Sequence, residues 1–136
     1  MKKLAYIIVI FSILVFAVSF FVLRPLEKKT FFAEVNITDE AVIGFDTNNS
    51  ALVFGVISLG SSATRNIILN NTHDFPVFVL ISAQGDIASL MIFEKKVKIN
   101  PKGTKSVSFS VRAPKDIEKG IYSGRVIFKI LRDRNL

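Results

Sequence analysis

The sequence contains few side chains that could carry out chemistry. Its only histidine is His73, which is followed directly by Asp74 in an Asn-rich stretch. A Ser-His-Asp site needs its imidazole held in a sheltered cleft beside a nucleophile, and an exposed turn supplies neither. The absence of cysteine excludes thiol catalysis, disulfides and Cys-based zinc sites. We therefore predict no catalytic residue, and a chain that is not an enzyme.

The carboxylates are scattered rather than paired. Those in predicted turns are Asp39, Glu40, Asp46, Asp74, Asp86, Asp116 and Glu118. Glycoside hydrolysis needs two carboxylates facing each other across a cleft, whereas carboxylates in turns usually bind nearby backbone N–H groups. A calcium loop using Asp116 with Glu118, or Asp39 with Asp46, stays open as an alternative. No glycine-rich stretch runs into Gly-Lys-Ser/Thr. We expect no bound metal, no cofactor and no small-molecule substrate.

Three Asn-x-Ser/Thr sequons are candidate N-glycosylation sites. They begin at Asn36, Asn48 and Asn70. With this content of Asn, Ser and Thr, about one such sequon is expected by chance. The excess favours an exported domain, although Asn-rich turns alone also generate sequons.

The formal net charge is +7, and Lys2 and Lys3 account for two of these charges. The basic residues are clustered locally, at Lys28 with Lys29 and at 95–98, without an interleaved ladder of aromatic residues. We therefore predict no nucleic-acid partner. The basic residues fit a solvated strand face, or attraction to an anionic surface such as lipid headgroups or an acidic cell-wall polymer.

Residues 4–23 form the predicted transmembrane helix. Eighteen of these twenty residues are apolar, and as a helix they would span about 30 Å, the thickness of the hydrocarbon layer. A signal peptide cleaved after Ala17-x-Ser19 is the alternative, but the apolar run continues to Leu23. Flanking Lys and Arg residues do not decide the orientation by count. The short tail with Lys2 and Lys3 resembles a signal anchor with a cytoplasmic N-terminus, which predicts a single-pass cell-membrane protein with an extracytoplasmic domain.

After the helix, the sequence predicts a linker at 24–32 and one β domain at 33–136. The predicted strands are Ala33–Thr38, Ala41–Asp46, Leu52–Ser58, Thr64–Asn70, Pro76–Ala83, Ser89–Glu94, Lys96–Ile99, Lys105–Arg112 and Ile121–Leu131. Polar and apolar residues alternate most clearly in the last two. Short strands separated by turn signals indicate an all-β chain, an antiparallel β-sandwich of 7–9 strands. Val77–Ile81 fits a central strand, and Leu90–Phe93 fits either the core or an exposed edge.

Leu52–Val79 resembles the immunoglobulin-like (Ig-like) domains of the major-sperm-protein, PapD and abnormal-spindle/Hydin type. The matching positions are Phe54-Gly55, Gly60-Ser61, Arg65–Leu69 with Asn70-Asn71, and Pro76–Val79. Ile99-Asn100-Pro101, Gly103, Val107–Val111 and Gly120-x-Tyr122-x-Gly124 are similar to the closing strands of these domains, and to Ig-like modules of prokaryotic surface proteins. The resemblance covers Leu52–Leu131 and implies the fold, with no catalytic or ligand-binding residues to transfer.

Tyr122 is a candidate tyrosine corner. It lies near the start of the last predicted strand, where a tyrosine hydroxyl can bind the backbone a few residues upstream.

These patterns predict a membrane-anchored interaction module that binds another envelope protein or a surface-layer assembly. One alternative is an accessory subunit of a membrane machine, because archaellum stator proteins have a similar plan of one helix and one Ig-like domain. Another alternative is a pilin-like filament subunit. The start Lys2-Lys3-Leu4-Ala5 lacks the processing junction that a pilin needs.

Overall fold

A computed structural model describes residues 1–22, 24–39 and 51–134 of the chain. The predicted strand Ala41–Asp46, the sequon at Asn48, and one half of the proposed Asp39–Asp46 calcium pair lie outside these residues. The description below concerns the three ranges only.

The N-terminal segment forms one α-helix, α1, at Lys2–Val22. It is long and apolar enough to span a membrane, and none of its residues is buried against the rest of the chain. A helix satisfies its backbone hydrogen bonds internally, so it can expose this apolar surface to lipid. Within the described residues, this is the one helix of that kind.

Eight strands lie within the described residues and form two sheets. They are β1 Glu27–Thr38, β2 Ala51–Ser58, β3 Ser62–Asn70, β4 Val77–Gly85, β5 Met91–Phe93, β6 Lys96–Ile99, β7 Thr104–Arg112 and β8 Gly120–Arg132. The five-stranded sheet has the order β2-β1-β8-β4-β6, and the three-stranded sheet has the order β3-β7-β5. The predicted β-rich domain behind a single apolar helix is therefore present.

The first strand begins earlier than the sequence predicted. β1 starts at Glu27, so residues 27–32 belong to the sheet, and the predicted linker at 24–32 shortens to residues 24–26. The Glu27-Lys28-Lys29-Thr30 segment lacks alternating apolar residues. It becomes a strand because it pairs with the end of β8, where Glu27 lies opposite Ile130 and Thr30 lies opposite Ile127. The domain therefore begins within five residues of the last helical residue, Val22.

The prediction of a wholly antiparallel arrangement was wrong for one pair of strands. β1 and β2 run parallel, with Phe32 opposite Ala51 and Thr38 opposite Ser58. Parallel neighbours need a crossover of about a dozen residues, and residues 39–50 provide that length. The five-stranded sheet is therefore mixed.

The two sheets enclose a shared core. Alternate residues of β1, β4, β7 and β8 point inward and are almost fully buried, as at Val35, Val79 and Val126. Four phenylalanine rings connect the sheets through contacts at 5.2, 5.8 and 5.5 Å between ring centroids, in the order Phe31, Phe128, Phe109, Phe93. Burying rings of this size is worth about 1.5–3 kcal/mol each, so they contribute strongly to the stability of the domain.

The predicted strand Ser89–Glu94 is mostly replaced by other structure. Asp86–Leu90 forms a 3-10 helix, and only Met91–Phe93 remains as β5, at the edge of the three-stranded sheet. Leu90 and Met91 are buried, whereas Ile92 is 63% exposed. An edge of three residues offers little backbone for a partner strand, since short edge strands resist pairing.

Candidate functional site

The strands orient the domain with respect to α1. β1 leaves the helix and β8 returns to it, so the start of β1, the β3–β4 loop, the β6–β7 turn and residues 132–134 lie at one end, here called the helix end. The Arg134 Nη2 donates to the Val22 carbonyl oxygen at 2.9 Å, and the Leu26 N–H donates to the Ile130 carbonyl oxygen at 2.8 Å. The last helical turn is thus tied to the end of β8.

Positive charge is concentrated at this end. We count as the helix end everything from α1 up to one line of paired residues across the sheet, namely Lys28, Lys129, Leu80 and Lys96. Ten basic residues lie from this line to the helix: Arg24, Lys28, Lys29, Lys96, Lys98, Lys102, Lys105, Lys129, Arg132 and Arg134. Three acidic residues accompany them: Glu27, Asp74 and Asp133. The described residues of the other end carry equal numbers of the two signs, so the net charge of the domain belongs to the helix end.

Four of these lysines share the outer surface of the five-stranded sheet. We call this surface the basic face; it consists of Lys28, Lys96, Lys98 and Lys129 with Phe78, Leu80 and Leu131. Lys28 lies directly opposite Lys129, and Leu80 separates Lys129 from Lys96. The four lysines come from three strands that are distant in the sequence, and the pairing register brings them together.

Phe78 holds two of the four ammonium groups over its ring. The Nζ atoms of Lys96 and Lys98 lie 4.0 and 5.6 Å from the ring centroid. Lys98 also forms an ion pair of 2.7 Å with Asp133, whose side chain is 1% exposed. Among the described residues, it is the one lysine of the basic face with an acidic partner. The basic face is therefore suited to bind an anion.

A cleft opens between the two sheets at the helix end. Its volume is about 260 Å³. Its walls are mostly apolar, and its rim carries the Glu27–Lys29 ion pair of 3.2 Å together with Asn70 and Thr72. Three strands cannot cover all of a five-stranded sheet, which leaves Phe31 and Ile130 only partly buried. The cleft can accept an apolar group.

His73 has a structural position in the β3–β4 loop. Its ring stacks on Phe75 with centroids 4.8 Å apart, its N–H donates to Asn71 Oδ1 at 3.0 Å, and its carbonyl oxygen accepts from the Lys102 N–H at 3.1 Å. The adjacent Asp74 is exposed and pairs with Lys102 at 3.3 Å. His73 and Asp74 are thus used to hold a loop and a turn together.

Of the carboxylates considered for calcium, Asp39, Asp116 and Glu118 are among the described residues. Among the described residues, no group of three or more His, Asp or Glu side chains could hold a metal ion. Asp39 instead accepts a hydrogen bond of 2.7 Å from Lys119 Nζ, and this contact lowers the pKa of Asp39 from its ordinary value. The contact links the end of β1 to the β7–β8 loop.

The described sequons occupy different surroundings. Asn36 is half-buried within β1, opposite Ile121 on one side and Val56 on the other. Asn70 is exposed at the last position of β3. Asn70 is therefore the more accessible acceptor of the two.

Asn71 was not predicted from the sequence as a functional or structural residue, and it holds the helix end together. Its side chain is almost fully buried, and its Nδ2 donates to the carbonyl oxygens of Phe75 at 2.9 Å and Asn100 at 3.0 Å. The Asn71 N–H donates to the Gly103 carbonyl oxygen at 2.9 Å. One amide thus joins the β3–β4 loop to the β6–β7 turn. Nothing in the sequence distinguishes it from its exposed neighbour Asn70.

Tyr122 makes the contact of a tyrosine corner. Its hydroxyl donates to the carbonyl oxygen of Glu118, four residues upstream, at 2.7 Å. Its ring packs against the core, so the hydrogen bond fixes the β7–β8 loop to the start of β8.

Replacing Tyr122→Phe should lower the free energy of unfolding by about 1 kcal/mol, because it removes one hydrogen bond and keeps the ring. Urea unfolding of the full chain in detergent micelles, followed by circular dichroism, measures this change. The other tyrosine provides the control: Tyr6→Phe lies on exposed α1 and should be neutral. Equal stability of the two variants would show that the Tyr122 hydroxyl does not stabilise the loop.

Comparison of the chain with protein-family models, with curated proteins and with solved structures gives no match in any of the three. The function must therefore be inferred from the chain's own residues. Three features of the chain bear on it: the exposed apolar helix α1, the basic face, and the outer surface of the three-stranded sheet.

Proposed function

We propose that the chain is a membrane-anchored, extracytoplasmic Ig-like β-sandwich that binds another cell-envelope protein or surface assembly and catalyses no reaction. α1 supports the anchor, since it is about 31 Å long and exposes its apolar side chains. The short tail with Lys2 and Lys3 supports a cytoplasmic N-terminus, and the accessible sequon at Asn70 supports an exported domain.

The strand neighbours support an Ig-like assignment. In Ig domains, strands B and E pair in one sheet, and strands C and F pair in the other. Here β3 pairs with β7, and β4 pairs with β8 in the opposite sheet, which is the same relation in chain order. Tyr122 then lies near the start of the strand equivalent to F, where tyrosine corners occur. β1 occupies the place beside β8 that strand G takes in Ig domains.

The outer surface of the three-stranded sheet carries the proposal of a protein partner. We call it the hydroxyl face; it consists of Thr64, Asn66, Ile68, Asn70, Ile92, Thr104, Ser106, Ser108 and Ser110. Arg112, opposite Ser62 at the far end of β7, is the one charged residue of β3, β5 and β7 that alternates onto this outer surface. Ile68 and Ile92 are 72% and 63% exposed at its two sides.

The hydroxyl face is suited to being covered by another protein. Charged residues are depleted at the cores of interfaces, because removing an unpaired charge from water is costly. Its short side chains also lose less conformational entropy on burial than Lys or Arg would. A hydrogen bond of 2.8 Å between the Thr64 and Ser110 hydroxyls, and one of 2.8 Å from the Ser108 hydroxyl to Asn66 Oδ1, already hold part of it in place. A partner would therefore meet a flat, ordered surface.

A photo-crosslinking amino acid at Ser108 tests this proposal in intact cells. Ser108 lies at the centre of the hydroxyl face, and Ser82, on the outer surface of the other sheet, is the matched control position. We expect a discrete adduct with one envelope protein from position 108 and none from position 82. Adding Ile68→Lys should abolish the adduct by placing a charge in the interface. Adducts of equal yield from both positions, or none from 108, would overturn the proposal.

A second candidate function, an accessory subunit of a membrane machine of the archaellum stator type, is favoured by the stiff junction. Only four residues, 23–26, lie between the end of α1 at Val22 and the start of β1 at Glu27, and β1 is paired on both sides by β2 and β8. Force on the domain would therefore pass directly to the anchor. A flexible Gly-Ser insertion after Pro25 should abolish motility while leaving the amount of protein in the membrane unchanged. Unchanged motility, both with this insertion and after gene deletion, would exclude this role.

A further inference from the structure

The basic face brings four like charges together, and of the acidic residues that the structure describes only Asp133 forms an ion pair with one of them. Lys28 and Lys129 are direct cross-strand neighbours, and like charges in that relation destabilise a sheet. Lys96 and Lys98 share the ring of Phe78, and only Lys98 is neutralised, by Asp133. An anion bound between the lysines would remove this repulsion. The lysine cluster is therefore explained more simply as a binding surface than as a solvated strand face.

The position of the basic face identifies the source of the anion. Lys28 follows Val22 by six residues, so its backbone lies at most about 20 Å from the end of α1. Lys129 precedes Arg134 by five residues, and the Arg134 guanidinium contacts the Val22 carbonyl oxygen. If α1 spans a bilayer, the headgroup layer begins where the helix ends. The nearest anions would then be lipid phosphates.

We infer that the basic face binds the phosphate groups of anionic phospholipids in the leaflet from which α1 emerges, so that the five-stranded sheet is seated on the membrane surface. This inference rests on the membrane anchor of the proposed function. Phe78, Leu80 and Leu131 lie between the lysines and would contact the boundary between headgroups and acyl chains, as apolar residues of interfacial segments do. Lysine side chains reach out from such a surface to the phosphates.

Seating the domain in this way also orients the other sheet. The hydroxyl face lies on the opposite outer surface, since the inner surfaces of both sheets meet in the core. Binding lipid through the basic face therefore turns the hydroxyl face away from the membrane. A partner could reach it without competing with lipid.

A single fluorescent label can measure this contact, because the chain contains no cysteine. Bimane attached at Thr30→Cys lies beside Lys28 on the outer surface of the five-stranded sheet, and bimane at Ser108→Cys lies on the hydroxyl face. The full chain is incorporated into nanodiscs of phosphatidylcholine or of a phosphatidylcholine–phosphatidylglycerol mixture. Both contain a lipid with a nitroxide on its headgroup, which quenches nearby bimane. We expect strong quenching at position 30 only in the anionic discs, and none at position 108.

Two triple variants that lose the same charge distinguish the effect of the basic face from the effect of the net charge of the domain. Lys28, Lys96 and Lys129 are changed to Gln together, while Lys98 is kept because Asp133 needs its partner. Each lysine near an anionic surface contributes about fivefold, so removing three should lower the ratio of docked to free domain by on the order of a hundredfold. The control changes Arg112, Lys115 and Lys119 at the other end to Gln and should leave quenching unchanged. In 1 M NaCl, where the Debye length is about 3 Å, quenching should disappear.

Three outcomes would overturn the inference. Equal quenching in neutral and anionic discs would exclude phosphate recognition, and equal loss in both triple variants would exclude the basic face. Failure of the full chain to enter the discs would remove the anchor itself, and with it part of the proposed function. Normal incorporation without charge-dependent quenching would instead reject only the docking, and the proposal for the hydroxyl face would stand.

Discussion

Replacing Gly124→Ala should cost at least about 4–5 kcal/mol of unfolding free energy, enough to unfold much of the protein. Gly124 lies in β8 at the centre of the five-stranded sheet, opposite Gly85 of β4 and Ala33 of β1. A Cβ atom at this position would overlap the Gln84 carbonyl oxygen and would lie 3.0 Å from Ile87 Cγ2. The oxygen belongs to backbone of a paired strand, so relief requires moving β4 itself.

Ser123→Ala is the control for this prediction. It changes the neighbouring residue of the same strand without adding a group next to β4, and it should alter the free energy of unfolding by less than about 0.5 kcal/mol. Circular dichroism and limited proteolysis of the full chain in micelles compare the two variants. A Gly124→Ala chain as stable as the control would show that β4 does not lie close enough to β8 to exclude a Cβ atom at position 124.

Alternating sequences allowed the last two strands to be predicted almost completely. Val107, Phe109 and Val111 point into the core while Ser106, Ser108 and Ser110 point outward, and β7 follows that pattern over its length. A strand with one buried and one solvated surface can be predicted from its own sequence, because apolar and polar residues alternate along it. The same reasoning failed for the first half of β1, where Glu27 and Lys28 give no such pattern. That half is a strand because β8 lies beside it.

The candidate surfaces depend still more on pairing between distant segments. The hydroxyl face was partly visible in the sequence, as the serine alternation of β7. The basic face was not, because Lys28, Lys98 and Lys129 become neighbours only through the order β1-β8-β4-β6. In the sequence, the same lysines form separate local clusters. The parallel register of β1 and β2 likewise follows from tertiary structure, since local propensity does not distinguish parallel from antiparallel pairing.

The two outer surfaces differ in a way that a simple anchored spacer would not require. One is basic and interspersed with apolar residues, and the other is rich in hydroxyl groups and carries a single charge, Arg112, at its far end. A solvated module needs only a mixed, soluble surface on all sides. Separate surfaces of distinct chemistry are expected when a domain contacts two different partners at once. The proposed lipid contact and the proposed protein contact are such a pair.

Replacing Asn71→Asp should destabilise the helix end by about 3–5 kcal/mol at pH 8. The Asn71 Nδ2 donates to the carbonyl oxygens of Phe75 and Asn100, and it lies 3.4 Å from that of Ile99. A carboxylate oxygen in its place would face these carbonyl oxygens, leave them unpaired, and carry a buried charge. The β3–β4 loop and the β6–β7 turn would separate, and the cleft between the sheets would widen.

The loss should also depend on pH. Repulsion from the carbonyl oxygens makes the folded state hold a proton on the introduced carboxyl more tightly than the unfolded chain does. Stability should therefore fall as pH rises above about 4, the ordinary range of an aspartate, and should partly return in acid. Urea unfolding at pH 4 and at pH 8 measures the difference.

Asn70→Asp makes the same chemical change one residue away, at an exposed position. It should shift the free energy of unfolding by no more than about 0.5 kcal/mol at either pH. If the two variants behaved alike, the hydrogen bonds of Asn71 would not be what holds the helix end together. The loop and the turn would then have to be joined by the backbone hydrogen bonds from Asn71 N–H to Gly103 and from Lys102 N–H to His73, and by Lys102 Nζ, which pairs with Asp74 and donates to the Thr72 carbonyl oxygen at 2.7 Å.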